Sequence, residues 1–188
     1  MTATTRTTKR KKKKKKGKGW LILLLLAAGA FFALYQLEFK YWDRSMPTGM
    51  HPLVAEKRDK LVEEASKKGI QIMITDDFRS AAEQDELYAK GRTKPGNIVT
   101  HAEGGKSYHN YGMALDFALE NQAGEAVWDI KRDGNKNGEA DWMEVVAIGK
   151  NLGFEWGGEI FGDFKDYPHF QMDFGLSIYE LQLGRRPK

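Results

Sequence analysis

Apolar positions follow several rhythms along this chain, and each predicts a different element. The run Trp20-Leu-Ile-Leu-Leu-Leu-Leu-Ala-Ala-Gly-Ala-Phe-Phe-Ala-Leu-Tyr-Gln-Leu37 has no charge, and Gln36 is its only strongly polar side chain. It is apolar all round, unlike a helix buried on one face of a soluble protein. At ~1.5 Å per residue a helix over this run reaches roughly 27 Å, close to the ~30 Å hydrocarbon core of a bilayer. From Pro52 to Lys68 the pattern changes to Leu53, Val54, Leu61, Val62 and Ala65 at helical spacing, with Gly69 as the stop. Asp141 to Leu152 repeats that amphipathic pattern through Trp142, Val145, Val146, Ile148 and Leu152, and Gly153 ends it. Both stripes read as core.

Strand character falls elsewhere. Ile70-Gln-Ile-Met-Ile-Thr75 is rich in β-branched residues, and in Ala114-Leu-Asp116-Phe-Ala-Leu119 alternation puts Asp116 on the face of Ala114. A last strand around His169-Phe-Gln-Met-Asp173 turns His169 and Gln171 one way and Phe170 and Met172 the other. Ser80-Ala-Ala-Glu83 is a capping box opening a helix to about Lys90, which leaves Arg79 at a strand end just outside a helix N-terminus. Lys94-Pro-Gly-Asn97 and Gly104-Gly105 mark loops, so His109 is expected on a loop.

Charge sharpens the picture of the N-terminus. Of the 30 Lys and Arg, ten precede the first acid, Glu38, so the rest of the chain carries 20 against all 26 Asp and Glu. The net +4 is therefore a property of the tail, and the folded part is acidic. A basic run abutting an apolar span reads as topology, cytoplasmic residues before a membrane anchor, rather than as a nucleic-acid tail, and no nucleic-acid partner is expected. A cleaved signal peptide is the rival, since Ala28-Gly-Ala30 offers the small residues a signal peptidase needs, but the apolar run continues to Leu37. With no cysteine in the chain, disulfide and thiolate chemistry are closed.

Two imidazoles and two carboxylates remain as chemistry. His109 and Asp116 lie in Ser107-Tyr-His109-Asn-Tyr-Gly112-Met-Ala-Leu-Asp116, and His169 closes Asp166-Tyr-Pro-His169. A catalytic zinc typically takes three N/O ligands and keeps a position for water. His109, Asp116 and His169 can supply them, and Asp166 is left over to accept a proton. On spacing alone an ordinary polar pair on a loop competes with this reading.

The Ser-x-His-x-x-Gly-x-Ala-x-Asp pattern and the following Asp-x-x-His resemble the signatures of the VanY-type peptidases, which include D-alanyl-D-alanine carboxypeptidases and L-alanyl-D-glutamate endopeptidases of bacterial cell walls. The likeness extends through Thr75-Asp-Asp-Phe-Arg79-Ser80, Glu83-Gln84, Gly91-Arg92, Asn97-Ile-Val-Thr100 and Phe154-Glu-Trp-Gly-Gly158, and covers nearly everything from His51 to Met172. It implies zinc on His109, Asp116 and His169, Asp166 as general base, and Arg79 as the cation that meets the substrate carbonyl or developing oxyanion. Ser107 takes a hydrogen-bonding role toward substrate or the metal loop. The implied fold is a small α+β domain, an antiparallel sheet with surrounding helices, here preceded by one transmembrane helix. The chain is then expected to divide into a cytoplasmic tail 1–19, an anchor 20–37, a linker 38–50, a zinc peptidase domain 51–183 and a tail 184–188. The expected substrate is the stem peptide of peptidoglycan, cleaved by a monomer outside a bacterial membrane. The endopeptidase reading leads; a carboxypeptidase and a non-catalytic wall-binding module are its alternatives.

A second metal site is expected at Asp133-Gly-Asn135-Lys-Asn137-Gly138-Glu139-Ala-Asp141-Trp-Met-Glu144, which fits the spacing of a calcium loop. Asp133, Asn135, Asn137 and Asp141 would give side-chain oxygens, Glu139 its carbonyl, and Glu144 both carboxylate oxygens. The alternative is an Asx-rich turn with Asp141 capping the next helix.

Overall fold

The computed structural model of the chain describes residues 19–42 and 45–187, without the side chains of 19, 21 and 37–42. The basic run before the apolar segment lies outside the described residues. By its contacts the chain divides into Met1–Lys40 and Tyr41–Lys188. Helix α1 (Gly19–Trp42) carries the apolar run and continues through the first residues of the expected linker. Leu- and Ala-rich sequence without proline favours that helix. Its described positions from Trp20 to Gln36 are exposed. Among the described residues no helix is long and apolar enough to cross a membrane, and the expected span 20–37 includes Leu21 and Leu37, whose side chains lie outside them.

The second unit is built on a five-stranded antiparallel sheet. Its strands are β1 (Ile72–Asp76), β2 (Ala114–Glu120), β3 (Ala126–Val127), β4 (Glu155–Trp156) and β5 (His169–Gln171), in the order β1-β2-β5-β4 with β3 beside β2. Helices α2 (Pro52–Lys67) and α4 (Asp141–Asn151) supply Val54, Leu61, Ala65, Trp142, Val145, Val146 and Ile148 to one core with Leu115, Phe117, Leu119 and Phe170 of the strands. Rings of Phe117 and Trp142 lie 4.6 Å apart, and those of Phe117 and Phe170 5.3 Å apart. Burying Phe117 and Phe170 contributes about 1.5–3 kcal/mol each. With Leu115, Phe117 and Leu119 in the core, alternation along β2 leaves Asp116 on the other face, with Ala114.

Boundaries differ from the sequence expectation where caps decide them. The first strand starts at Ile72 rather than Ile70 because α2 ends in a Schellman motif: Ile70 N donates to Ala65 O at 3.0 Å and Gly69 N to Ser66 O at 2.9 Å, with Gly69 at φ 78°. The last strand ends at Gln171, since Phe174 and Gly175 turn the chain at positive φ. Helices α3 (Ala81–Ala89) and α6 (Ile178–Gln182) both open on capping boxes, Ser80 with Glu83 and Ser177 with Glu180; a single turn, α5 (Gly157–Ile160), follows β4. The expected C-terminal tail is tied to the domain, Arg186 donating to Leu181 O at 2.7 Å and to Ser45 O at 3.3 Å.

Cross-strand register does what matters for function. Asp76 pairs with Asp116, and Asp116 with His169, so three polar residues form one row across β1, β2 and β5.

Candidate active site

His109 sits not on an open loop but in a 3-10 turn, Tyr108–Tyr111, that fully buried Asn110 braces. Asn110 Oδ1 accepts from Gly105 N at 2.9 Å, while its Nδ2 donates to Arg79 O at 2.9 Å. Ser107 caps the turn that carries His109, its Oγ accepting from His109 N at 3.4 Å. Gly112 leaves the turn at φ 66°, and a Cβ there would meet Gly49 O at 2.4 Å, which excludes any larger residue.

The two histidines and Asp116 converge. His109 Nε2 lies 3.3 Å from His169 Nδ1, and Asp116 Oδ1 lies 3.4 Å from the first and 3.1 Å from the second. His109 Nδ1 faces Asp77 O at 2.6 Å; a carbonyl only accepts, so Nδ1 carries the proton and Nε2 presents its lone pair to the site. Burial opposes a charge on His109, but the Asp116 carboxylate outweighs it and raises the imidazole above its ordinary value. Burial likewise pushes Asp116 up, and both imidazoles together hold it well below the usual carboxylate range. Among the described residues this is the group of three His or acidic side chains whose ligand atoms all lie within 4.8 Å of one another. Two imidazole nitrogens and a carboxylate oxygen suit zinc.

Asp166 and Arg79 line the same cavity, of about 760 Å³. Burial raises the Asp166 carboxyl, and Asp116 adds to the rise against the opposing histidines. The segment that carries Asp166 is fixed through Tyr167, whose carbonyl accepts from Trp156 Nε1 at 2.8 Å and Trp142 Nε1 at 3.3 Å. Gly157 lets it approach, since a Cβ there would meet Asp166 O at 2.4 Å. Arg79 is 13% exposed and pairs with Asp76, and its second nitrogen donates to Gln84 Oε1 at 2.7 Å. Gln84 is fully buried and in turn donates to Ala102 O at 2.7 Å, a brace that spacing within a helix does not reveal. His101 lines the cavity, whereas the His51 ring packs 4.7 Å from Phe174.

The loop from Asp133 to Glu144 is a different case. Asp133 accepts from Asn137 N and Gly138 N at 3.1 and 3.0 Å, and Asp141 from Gly134 N and Asn135 N at 2.8 and 3.4 Å. Asp141 therefore does not cap α4, where Ala140 is the capping residue without a side-chain bond. Glu144 accepts from the amides of Asn135 and Asn137, both at 2.9 Å, and its other oxygen meets Lys68 Nζ at 2.9 Å. Burial pushes Glu144 up, but Lys68 and the two amides outweigh it and keep the carboxyl below its usual range. Glu139 donates its N–H to Asn137 Oδ1 at 2.8 Å. The expected ligands are neighbours, yet Asp133, Asp141 and Glu144 do not gather as the histidine site does.

The sheet brings both paired motifs to one row of polar residues, Asp116 opposite His169. A family model described as D-alanyl-D-alanine carboxypeptidase matches residues 100–172. The peptidoglycan L-alanyl-D-glutamate endopeptidase CwlK of Bacillus subtilis (strain 168) is 57% identical over 130 residues, which are 69% of this chain and 77% of that protein. The L-alanyl-D-glutamate peptidase of Listeria phage A118 is 31% identical over 116 residues, 61% of this chain and 35% of the phage protein. The L,D-carboxypeptidase DacB from Streptococcus pneumonia shares the fold, with a TM-score of 0.50 at 20% identity over 73% of this chain and 79% of that one. The chain belongs to the VanY-type peptidase family and is an enzyme of that class.

Proposed function

We propose that the chain is a zinc endopeptidase that hydrolyses the L-alanyl-D-glutamate bond of peptidoglycan stem peptides at the outer face of a bacterial membrane. The observation that carries the metal is the triangle of His109 Nε2, Asp116 Oδ1 and His169 Nδ1, with edges of 3.1, 3.3 and 3.4 Å. Tetrahedral zinc with bonds of ~2.0–2.1 Å separates adjacent ligand atoms by roughly 3.3–3.4 Å, so the edges fit it. Held by these three residues, zinc would polarise the substrate carbonyl as a Lewis acid and lower the pKa of a water so that it gives up its proton near neutral pH. Asp166, in the wall of the same cavity, takes the proton of the attacking water and returns it to the leaving amine. Arg79, held by Asp76 and Gln84, faces the negative charge that develops on the carbonyl oxygen. Ser107 is at hand in the cavity to hydrogen-bond the substrate.

The 57% identity to CwlK supports the endopeptidase reading, and the description of the matching family supports carboxypeptidase activity as a second one. Digestion of purified muropeptides with mass analysis separates them. The endopeptidase releases a peptide that begins with D-Glu and leaves L-Ala on the sugar; loss of a single terminal D-Ala would establish the carboxypeptidase instead.

Two further parts of the reading stand on local features. An anchor at 20–37 is supported by the helical, exposed and uncharged run in α1. Protease added to intact protoplasts is then expected to shed or degrade the domain from His51 onward, and full protection of the domain would contradict it. Calcium at Asp133 to Glu144 is supported by the shared cluster around ionised Glu144, where Lys68 already holds a cation's position. Calcium binding there displaces Lys68, whose side chain is half exposed and can return to water.

A further inference from the structure

We propose that Gln171 and Glu155 are positioning residues that fix the tautomer of His169 and so aim its lone pair at the metal position. The proposal rests on the metal reading above and adds two residues to it. Antiparallel register sets Glu155 opposite Gln171 across β4 and β5. Gln171 Nε2 donates to Glu155 Oε2 at 2.9 Å, and Gln171 Oε1 lies 3.2 Å from His169 Nε2.

The direction of this chain of bonds follows from which atoms can donate. An ionised carboxylate only accepts, so Glu155 draws the amide NH₂ of Gln171 toward itself. The amide oxygen is then left facing His169, and because it too only accepts, His169 must carry its proton on Nε2. In the neutral ring Nδ1 is thereby the lone-pair atom, and Nδ1 is the nitrogen that lies 3.1 Å from Asp116 Oδ1 and 3.3 Å from His109 Nε2. Without that restraint Asp116 itself offers an acceptor for a proton on Nδ1, which would turn an N–H into the metal position.

The two histidine ligands are thus held in opposite tautomers by different means. His109 is held by the backbone carbonyl of Asp77, which no side-chain change removes. His169 is held through side chains, one buried and one exposed, and its restraint can be reversed from the surface. Lysine at position 155 only donates, so it draws the Gln171 oxygen outward and turns the NH₂ toward His169 Nε2.

The test compares the wild-type full chain, Glu155→Lys, and Glu155→Lys combined with Gln171→Glu. Zinc dissociation constants come from chelator competition, and the His169 tautomer from long-range ¹H–¹⁵N spectra of histidine-labelled, metal-free protein at a pH above imidazole titration. Glu155→Lys is expected to weaken zinc by about 10–100-fold, the range typical for a lost outer partner. The share of His169 protonated on Nε2 should fall with it. Adding Gln171→Glu restores an acceptor toward His169 while pairing with the lysine, so affinity and tautomer recover together, and a purely steric or structural role would give no such recovery. Unchanged zinc affinity and tautomer in Glu155→Lys, or no recovery in the double variant, would overturn the proposal. A wild-type chain that takes up no zinc overturns the metal reading and the proposal with it, and the wild-type titration tells that failure from the others.

Discussion

The histidine site and the loop from Asp133 to Glu144 are both clusters of metal-ligand residues, but they are held in opposite ways. At the first, two ligands stand opposite each other on β2 and β5, and the third comes from a turn braced by Asn110. Its ligand atoms stay 3.1–3.4 Å apart because the sheet and acceptor-only partners hold them from behind. In the loop, by contrast, the side-chain oxygens of Asp133 and Asp141 are engaged by N–H groups of the loop itself, and Glu144 by Lys68 and two amides. Scaffold-held ligands are preorganised; self-satisfied ones must exchange partners to bind. The first arrangement suits chemistry that tolerates little displacement, and the second suits a ligand that adjusts stability.

The largest effect should come from removing one leg of the triangle. His169→Ala deletes a ligand, so zinc and turnover are expected to disappear together, as elemental analysis beside a muropeptide assay would show. Retained stoichiometric zinc would mean that the triangle is not the binding site. Next comes the scaffold behind it. Phe170 is fully buried between His169 and Gln171, and Phe170→Ala is expected to cost about 3–5 kcal/mol of folding stability in denaturant melts. A cost below 1 kcal/mol would show that the sheet is not what holds the ligands.

The loop should respond more mildly. Calcium at a hundredfold excess over its Kd is expected to stabilise the fold by about 2.7 kcal/mol, seen as a higher Tm that Glu144→Gln abolishes while zinc content stays the same. A zinc-replete protein whose melting ignores millimolar calcium would leave the loop an ordinary turn closed by its own bonds.

Proton competition gives the smallest effect. Metal binding needs His109 neutral, and in the metal-free protein its pKa is raised above 6.5. Zinc affinity should therefore be insensitive to this proton above the raised pKa and fall by up to about tenfold per pH unit below it, starting at a pH above 6.5. Loss that begins only well below 6.5 would contradict the Asp116 pairing as the cause.

What the sequence disclosed depends on whether the signal is local. Helices α2 and α4 were legible from apolar spacing, α3 from its capping box, and β2 from alternation that put Asp116 on the face of Ala114, whereas its separation from the core of Leu115, Phe117 and Leu119 shows only in the packing. His109, Asp116, His169 and Asp166 stood out as paired motifs, and the structure brings them to one cavity with Arg79. The two-residue strands β3 and β4 carry too few residues to show a period. Ser177 and Glu180 carry the same capping signature as Ser80 and Glu83, a local signal that marks the start of α6. The pairings of Glu155 with Gln171 and of Gln84 with Arg79 come from register and packing, which spacing along the chain does not contain.

The central claim is that metal holding and proton transfer reside in different residues of one preorganised site. It is tested most directly by measuring bound zinc and turnover on the same sample of Asp166→Asn. That change keeps the shape of the side chain and removes the base. Stoichiometric zinc with turnover reduced by about 10²–10⁴-fold is the expected result. Near-normal turnover with zinc bound would contradict the account.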